Sequence, residues 1–485
     1  GKVRGPIPAR KMDQFRKFAL KPVRESKQWY ARHLMWAMAS EMEPALEFLN
    51  ELDDEGRYKL DDFQPLLFAT LDYGATWRRC DEGIPRDHFT RVLRADPDRA
   101  GLLYAGTERG VYASFDDGDS WSSLQLELPI VPVTDLALKE GDLVAATQGR
   151  GFWILDNLSP LHQLDLDAIP DQNVLFDPRP SLRLGGGRGR GSSGRAGSNP
   201  AGGVWIHYHL AELDEETEVR LEILEEDGDL VRTFVPKSKA KGADAMEVGG
   251  LSREAGLQRF VWNLTYAGAA DFPKMILWSG GMGGPRAVPG TYTARLTVGD
   301  QIMETAFELL PDPRSSASQE DLVRQHERIA AICVTLTNAH QGIRDLRGIR
   351  ADLKTLAGKC GEEREDEGPF AALLDEIANA QEILTSVEEA LYQTQNESAQ
   401  DPLNFPVRLT DKLAGVKGSI ATGDFAPTRQ AEAVAAELTG AIEAELARLQ
   451  EVRAVRLASI NAGANALAIP AVQAEAKEEE TDEED

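Results

Sequence analysis

The sequence predicts a multidomain chain: a partial β-propeller of two to three blades, an Ig-like β-sandwich and a C-terminal antiparallel α-helical bundle. Three observations predict it. A repeat of about forty residues with a fixed turn motif occupies the first third. From Val204, short alternating strands follow one another between turn residues. From Ser318, apolar residues recur at steps of three and four. The expected divisions are a basic helical segment (1–50), the repeat zone (51–165), a Gly/Arg-rich linker (166–203), the sandwich (204–313), the bundle (314–472) and an acidic disordered tail (473–485).

The first segment is set apart by charge. Residues 1–35 hold ten Lys/Arg against Asp13 and Glu25, and the pattern reads as helical from Met12, broken near Pro22. The whole chain points the other way: 53 Lys+Arg against 80 Asp+Glu in 485 residues, a net charge of −27. That balance excludes a general nucleic-acid or anionic-membrane binder, because both need a basic face. No apolar run approaches the ~18 residues of a membrane span. Three cysteines, Cys80, Cys333 and Cys360, are too few for a disulfide framework.

The repeat zone contains Thr70-Leu71-Asp72-Tyr73-Gly74-Ala75-Thr76-Trp77 and, 44 residues on, Ser114-Phe115-Asp116-Asp117-Gly118-Asp119-Ser120-Trp121. Both follow [ST]-x-D-x-G-x-[ST]-W. Each position has a mechanical use. Gly74 and Gly118 supply positive φ. Asp72 and Asp116 accept loop N–H groups in Asx-type turns, joined by the hydroxyls of Thr70 and Ser114. Trp77 and Trp121 pack beneath the turns. A third stretch, Ala146 to Trp153, echoes Gly106 to Tyr112 but lacks the Asp and Gly that follow.

The motif resembles the Asp-box, or bacterial neuraminidase repeat. Together with Lys59–Phe63, Gly101–Gly110 and Gly149–Asp156, it resembles a family of large bacterial propeller proteins with sortilin-type repeats, often labelled glycosyl hydrolases. The resemblance runs from Tyr58 to Val472. It implies an exported protein, periplasmic or extracellular, with protein or carbohydrate ligands. The repeat zone accounts for fewer than three blades, whereas closed propellers typically have about four to eight. The expectation is therefore a C-terminal fragment whose missing blades lie upstream or on another chain.

Gly185–Gly203 reads as the flexible part of the linker. In the sandwich, Val219–Leu224 and Leu230–Val235 flank an Asp227-Gly228 turn, and Arg259–Leu264 and Pro289–Val298 give further strands. The Pro289-Gly290-x-Tyr292 ending resembles the Ig-like domain of flagellar hook-capping proteins, which implies a spacer. His207 and His209 share a strand face with Trp205 and read as sheet histidines rather than zinc ligands. In the bundle, Leu322, His326, Ile329, Cys333, Leu336, His340 and Ile343 form one seam. Phe370, Leu373, Ile377, Ala380, Leu384, Val387 and Leu391 form a second. A helix over Val407–Ala421 and a last one from Pro427-Thr428 complete the set, with Val434, Leu438, Ile442, Leu446, Leu449 and Val452 facing inward.

Sialidase chemistry would need an arginine cluster for the substrate carboxylate, a Tyr nucleophile with a nearby acid and an acid/base carboxylate; other propeller glycosidases need two carboxylates facing each other across the sugar. Asp61, Asp62, Glu82, Asp87, Glu108 and Asp135 are available, but no spacing singles out two of them. Catalytic residues stay unassigned, and no cofactor or metal motif stands out. The sequence favours a binding or scaffolding protein over a glycoside hydrolase, because each distinctive residue has a structural role.

Overall fold

The computed structural model describes residues 35–38 and 67–469, apart from 165–170, 185–199, 237–246, 361–368, Ser279 and Ala468. β-sheets are followed by a helical C-terminal region. The chain divides into two compact units, Gly1–Asp165 and Leu166–Asp485. Among the described residues, no helix is long and apolar enough to cross a membrane.

Among the described residues, the first unit holds three antiparallel sheets. The first is β1 (Met35–Met38), β2 (Leu67–Thr70) and β3 (Arg78–Arg79). The second is β4 (Thr90–Ala95), β5 (Leu103–Thr107), β6 (Val111–Ser114) and β7 (Ser122–Ser123). The third is β8 (Val133–Lys139), β9 (Asp142–Thr147) and β10 (Phe152–Leu155), followed by the short helix α1 (Ser159–Gln163). Residues 35–38 correct the helical expectation for the N-terminal segment: they pair with β2, Met35 opposite Thr70 and Met38 opposite Leu67. A bulky apolar tetrapeptide suits a strand as well as a helix, and here an available sheet edge decides. The rest of residues 1–50 lies outside the described residues.

Side-chain alternation lets the second sheet bury both faces. Leu103, Ala105, Tyr112 and Trp121 join Leu67, Ala69 and Cys80 of the first sheet in one core. Tyr104, Val111 and Ala113 join Val133, Leu136, Leu143 and Ala145 of the third sheet in another. Among the described residues, the three sheets do not close into a barrel or a propeller.

In the second unit, two sheets share one core. One is β11 (Val174–Leu175), β13 (Val204–Leu210) and β17 (Gly256–Trp262). The other runs in the order β12 (Ser181–Leu182), β19 (Gln301–Leu310), β18 (Gly290–Val298), β14 (Val219–Glu225), β15 (Leu230–Val235) and β16 (Glu247–Gly249). Ile206, Tyr208, Leu210 and Trp262 meet Leu221, Ile223, Phe234, Leu296 and Phe307 between them. The β14–β15 hairpin turns at Gly228, whose φ is 94°. Within the stretch expected as linker, 166–203, two short strands pair with the sheets: β11 with β13 and β12 with β19. Phe176 and Arg183, in the same stretch, are buried.

The helices are α2 (Gln319–Cys360), α3 (Pro369–Leu391), α4 (Leu409–Ile420), α5 (Arg429–Glu451) and α6 (Leu457–Ala466), with a π-helical turn at Val452–Arg456 between the last two. Ser318 caps α2 reciprocally with Asp321: each backbone N–H donates to the other's side chain at 3.1 Å. Thr428 caps α5 by accepting from the Ala431 N–H. Arg347 pairs with Glu388, and Arg350 reaches Thr385 and Glu388. Moving up α2 therefore means moving down α3, so these two helices are antiparallel. Both seams enter one core, apart from Leu322, which is buried outside it, and His326 and Phe370 are only partly buried. Val434, expected to face inward, is exposed, whereas Ile442, Leu449 and Val452 are buried. The acidic tail 473–485 lies outside the described residues.

Sheets and helices of this unit are locked by the crossing between β17 and β18. Ala269 and Phe272 of that crossing belong to the helical core. Its backbone has no sheet partner over much of its length, so side chains of the helical region supply the bonds. The Ala270 N–H donates to Thr337 Oγ1 at 3.0 Å, the Ile276 N–H to Tyr392 Oη at 2.9 Å and the Trp278 N–H to Asp411 Oδ2 at 2.8 Å.

Candidate functional site

The two turns of the repeat are built alike. In the first, Thr70 Oγ1 donates to Asp72 Oδ1 at 2.9 Å and accepts the Gly74 N–H at 2.8 Å. Asp72 also accepts the Thr76 N–H at 2.7 Å and its hydroxyl at 2.6 Å. In the second, Ser114 Oγ donates to Asp116 Oδ1 at 2.7 Å and accepts the Gly118 N–H at 2.8 Å. Asp116 accepts the Ser120 N–H at 2.9 Å and its hydroxyl at 2.5 Å. Gly74 and Gly118 have φ of 92° and 83°. The hydrogen bonds from Thr76 hold Asp72 down at about 2. Partial burial raises Asp116, but the bonds from Ser120 and Ser114 outweigh it and leave the carboxyl below its ordinary value.

The tryptophans differ. Trp121 is 4% exposed, and its Nε1 donates to the Cys80 carbonyl at 2.8 Å, tying the second turn to the first sheet. Trp77 is half-buried under Gly74, and its Nε1 finds no acceptor. Burial pushes the Cys80 thiol up to about 12, so it behaves as a packing group.

Three of the six carboxylates available for sugar chemistry hold arginines: Asp87 with Arg109, Glu108 with Arg91 and Asp135 with Arg94. Glu82 is exposed, and Asp61 and Asp62 lie outside the described residues. None of Glu82, Asp87, Glu108 and Asp135 lines the pocket beside Asp96 and His162.

A different group does converge. Asp96, Asp98 and His162 bring one ligand atom each within 4.8 Å of one another beside a pocket of about 240 Å³ that Lys139, Glu140 and Leu158 also line. Carboxylate and imidazole suit a divalent cation. Asp96 is already engaged, however. Its Oδ1 accepts the Asp98 and Arg99 N–H groups, and its Oδ2 accepts the Tyr104 hydroxyl at 2.9 Å and lies 3.0 Å from His162 Nε2. Burial first, then the Asp96 charge, pushes the Tyr104 hydroxyl well above its ordinary value. Four donors on one buried carboxylate describe a structural pin between the β4–β5 turn and α1. The sequence signal was Asp96-Pro97-Asp98, a turn. His162 stands 66 residues away, beyond the reach of spacing arguments.

His207 and His209 do share the outer face of β13 with Trp205, whose ring centroid lies 6.2 Å from that of His207. Burial, reinforced by Arg259 and Arg179, lowers His207 to about 4. His209 Nδ1 meets the Gln172 carbonyl at 2.9 Å. Neither joins the cation-type group found among the described residues. The seam histidines each meet one carbonyl: His326 that of Arg286 at 3.0 Å, His340 that of Ala270 at 2.6 Å. Since a carbonyl only accepts, Nδ1 of His340 carries a proton. Its buried Nε2 has no partner, which fits the neutral ring that burial favours. Lys417 donates to the Gly283 carbonyl at 2.6 Å beside Cys333, and burial holds it below the usual lysine range. Arg183 pairs with Asp424, which Arg286 also approaches. These groups pin the crossing and the linker-derived strand to the helices.

Comparison with known proteins adds little. No family model and no curated protein matches the chain. Eight solved chains match, among them the extracellular domain of a hybrid two-component system from B. thetaiotaomicron. That match has 12% identity and a TM-score of 0.17, and it covers 53% of this chain. The chain spans 36% of that structure's length.

Proposed function

We propose that the chain is a binding or scaffolding protein: Asp-box blades of propeller type, an Ig-like spacer and an antiparallel helical bundle, working in an exported setting on a protein or carbohydrate ligand. One observation carries the reading. The distinctive polar residues of the repeat zone are occupied by the fold itself. Thr70, Asp72, Ser114 and Asp116 close turns, and Asp87, Glu108 and Asp135 hold arginines. A glycosidase pair needs one carboxylate free to attack or assist and another poised to donate a proton.

The test is to incubate the full chain with sialosides and with a panel of chromogenic glycosides, and to present it in parallel to an immobilised oligosaccharide array. The expected result is no turnover above that of an Asp135→Asn, Glu108→Gln variant. Hydrolysis that disappears in that variant overturns the reading and installs the hydrolase in its place.

A further inference from the structure

The second and third sheets share a hairpin, and the comparison exposes a vacancy. Thr107 closes the β5–β6 connection by donating its N–H and hydroxyl to the Gly110 carbonyl. Thr147 closes the β9–β10 connection by the same two bonds to Gly151. The strands that follow correspond: Val111-Tyr112-Ala113-Ser114 and Phe152-Trp153-Ile154-Leu155. In β6 all four residues are at most 6% exposed. In β10, Phe152 is 78%, Trp153 37% and Ile154 55% exposed. The difference at the edge is β7, which pairs with β6 through Tyr112–Ser123 and Ala113–Ser122 and has no counterpart on the third sheet among the described residues. The two sister sheets end on polar or charged strands, Ser122–Ser123 and Arg78–Arg79, which discourage strand addition. The third ends on four apolar residues.

The open edge suits one partner by its chemistry. Gly151 gives its carbonyl to β9, so backbone groups of Trp153 and Leu155 also face β9, and those of Phe152 and Ile154 face outward. An antiparallel strand centred opposite Trp153 would then place Phe152 against Ile154 and Ile154 against Phe152, each pair exchanging two hydrogen bonds. A two-fold axis through Trp153 produces this register with a copy of the same strand. It sets Trp153 against Trp153, an aromatic cross-strand pair. It also brings the Arg150 end of one copy to the Asp156 end of the other, at both ends of the contact. The geometry points to a second copy of this chain: β10 pairs with β10 of its partner, and the two three-stranded sheets become one sheet running through the two-fold axis.

This goes beyond the binding reading. A monomer would leave that reading standing, and glycoside turnover would leave the dimer standing, so the two fail separately. The test is light scattering of the full chain during size-exclusion chromatography over a range of concentrations. The expected result is a dimer. Ile154→Pro removes an outward N–H and leaves the β9 ladder intact, so it gives a folded monomer; so does Phe152→Lys, which charges the edge. Arg150→Asp and Asp156→Arg each weaken the dimer about tenfold by creating two like-charge meetings. Mixed together, these two variants form a heterodimer of restored affinity, since each charge then meets its opposite. A monomeric wild type overturns the proposal, as does a dimer indifferent to Ile154→Pro and Phe152→Lys, or a mixture that fails to recover. A monomer that instead binds a synthetic peptide copied from residues 119–126 also overturns it, and assigns the edge to a fourth strand from another blade.

Discussion

The two Asp-box turns have the same internal hydrogen bonds and unequal surroundings. Both close with a hydroxyl that bridges the carboxylate and a glycine N–H, and both hold their aspartate below its ordinary value. Under the second turn, Trp121 is sealed between two sheets and bonded to Cys80. Under the first, Trp77 stays half-wet with its N–H unsatisfied. The motif therefore specifies the loop, and the neighbouring sheet decides how much stability the loop anchors. Among the described residues, the second turn belongs to a sheet packed on both faces, the first to a sheet that shares one core with it.

The sharpest way to break this comparison is at the tryptophans. Trp121→Ala removes a buried ring and leaves the Cys80 carbonyl without its donor, at a cost of about 3–5 kcal/mol. Trp77→Ala loses a half-exposed ring with no hydrogen bond, at about 2 kcal/mol or less. Urea unfolding of both variants, followed by amide exchange in β5 and β6 so that the two units are read separately, measures the gap. Equal losses would mean that the first turn is packed as deeply as the second.

How much of this was legible in the sequence follows the same division. The turns were, because their chemistry is local: four residue types at fixed offsets close a loop whatever surrounds it. The helical seams were, because Leu336, Ile343, Leu384 and Val387 repeat over many turns. β11 and β12 were not, since two-residue strands carry no periodicity and exist only because β13 and β19 offer edges. β1 was hidden in a basic segment for the same reason. The crossing from Ala269 to Gly283 was illegible because its partners, Thr337, Tyr392, Asp411 and Lys417, lie up to 134 residues away in the helical region. Of the candidate site, neither Asp96 nor His162 stood out: Asp96-Pro97-Asp98 carries only turn chemistry, and His162 lies 66 residues away.

The comparison widens to the two units when pH is the probe. His207 sits near 4 in the folded chain against 6.5 when free. A base lowered by folding contributes stability that is present above 6.5 and lost as pH falls toward about 4, because the unfolded state takes up the proton first. His340 is lowered in the same direction. The second unit should therefore lose on the order of 2–3 kcal/mol across that window. Thermal unfolding of His207→Gln, which has no such proton to bind, should be flatter between the two values. The first unit should respond later. Asp72 and Asp116 are acids lowered by folding, so their contribution is present above the usual aspartate value of 3.8 and fades as pH falls below it, for Asp72 toward about 2. Asp72→Asn should remove more of that acid sensitivity than Asp116→Asn, because burial offsets part of the lowering at Asp116. A first unit that softens already at pH 6 would contradict the assignment.

The finest division is at the hydroxyls. Thr70 and Ser114 are both 1% exposed, and each accepts a glycine N–H while donating to its aspartate. Ser114→Ala and Thr70→Ala leave that N–H without its bond and the carboxylate without one of its donors, each costing about 1 kcal/mol. Here the two turns should agree, unlike at the tryptophans, because the deleted bonds are internal to the loop and owe nothing to the neighbouring sheet. Thr70→Ser tests the point from the other side: it keeps the hydroxyl and deletes only a methyl, so it should recover most of the loss. If Ser114→Ala proves several-fold more damaging than Thr70→Ala, stability passes from the sheet core into the turn itself, and the separation between loop chemistry and sheet packing does not hold.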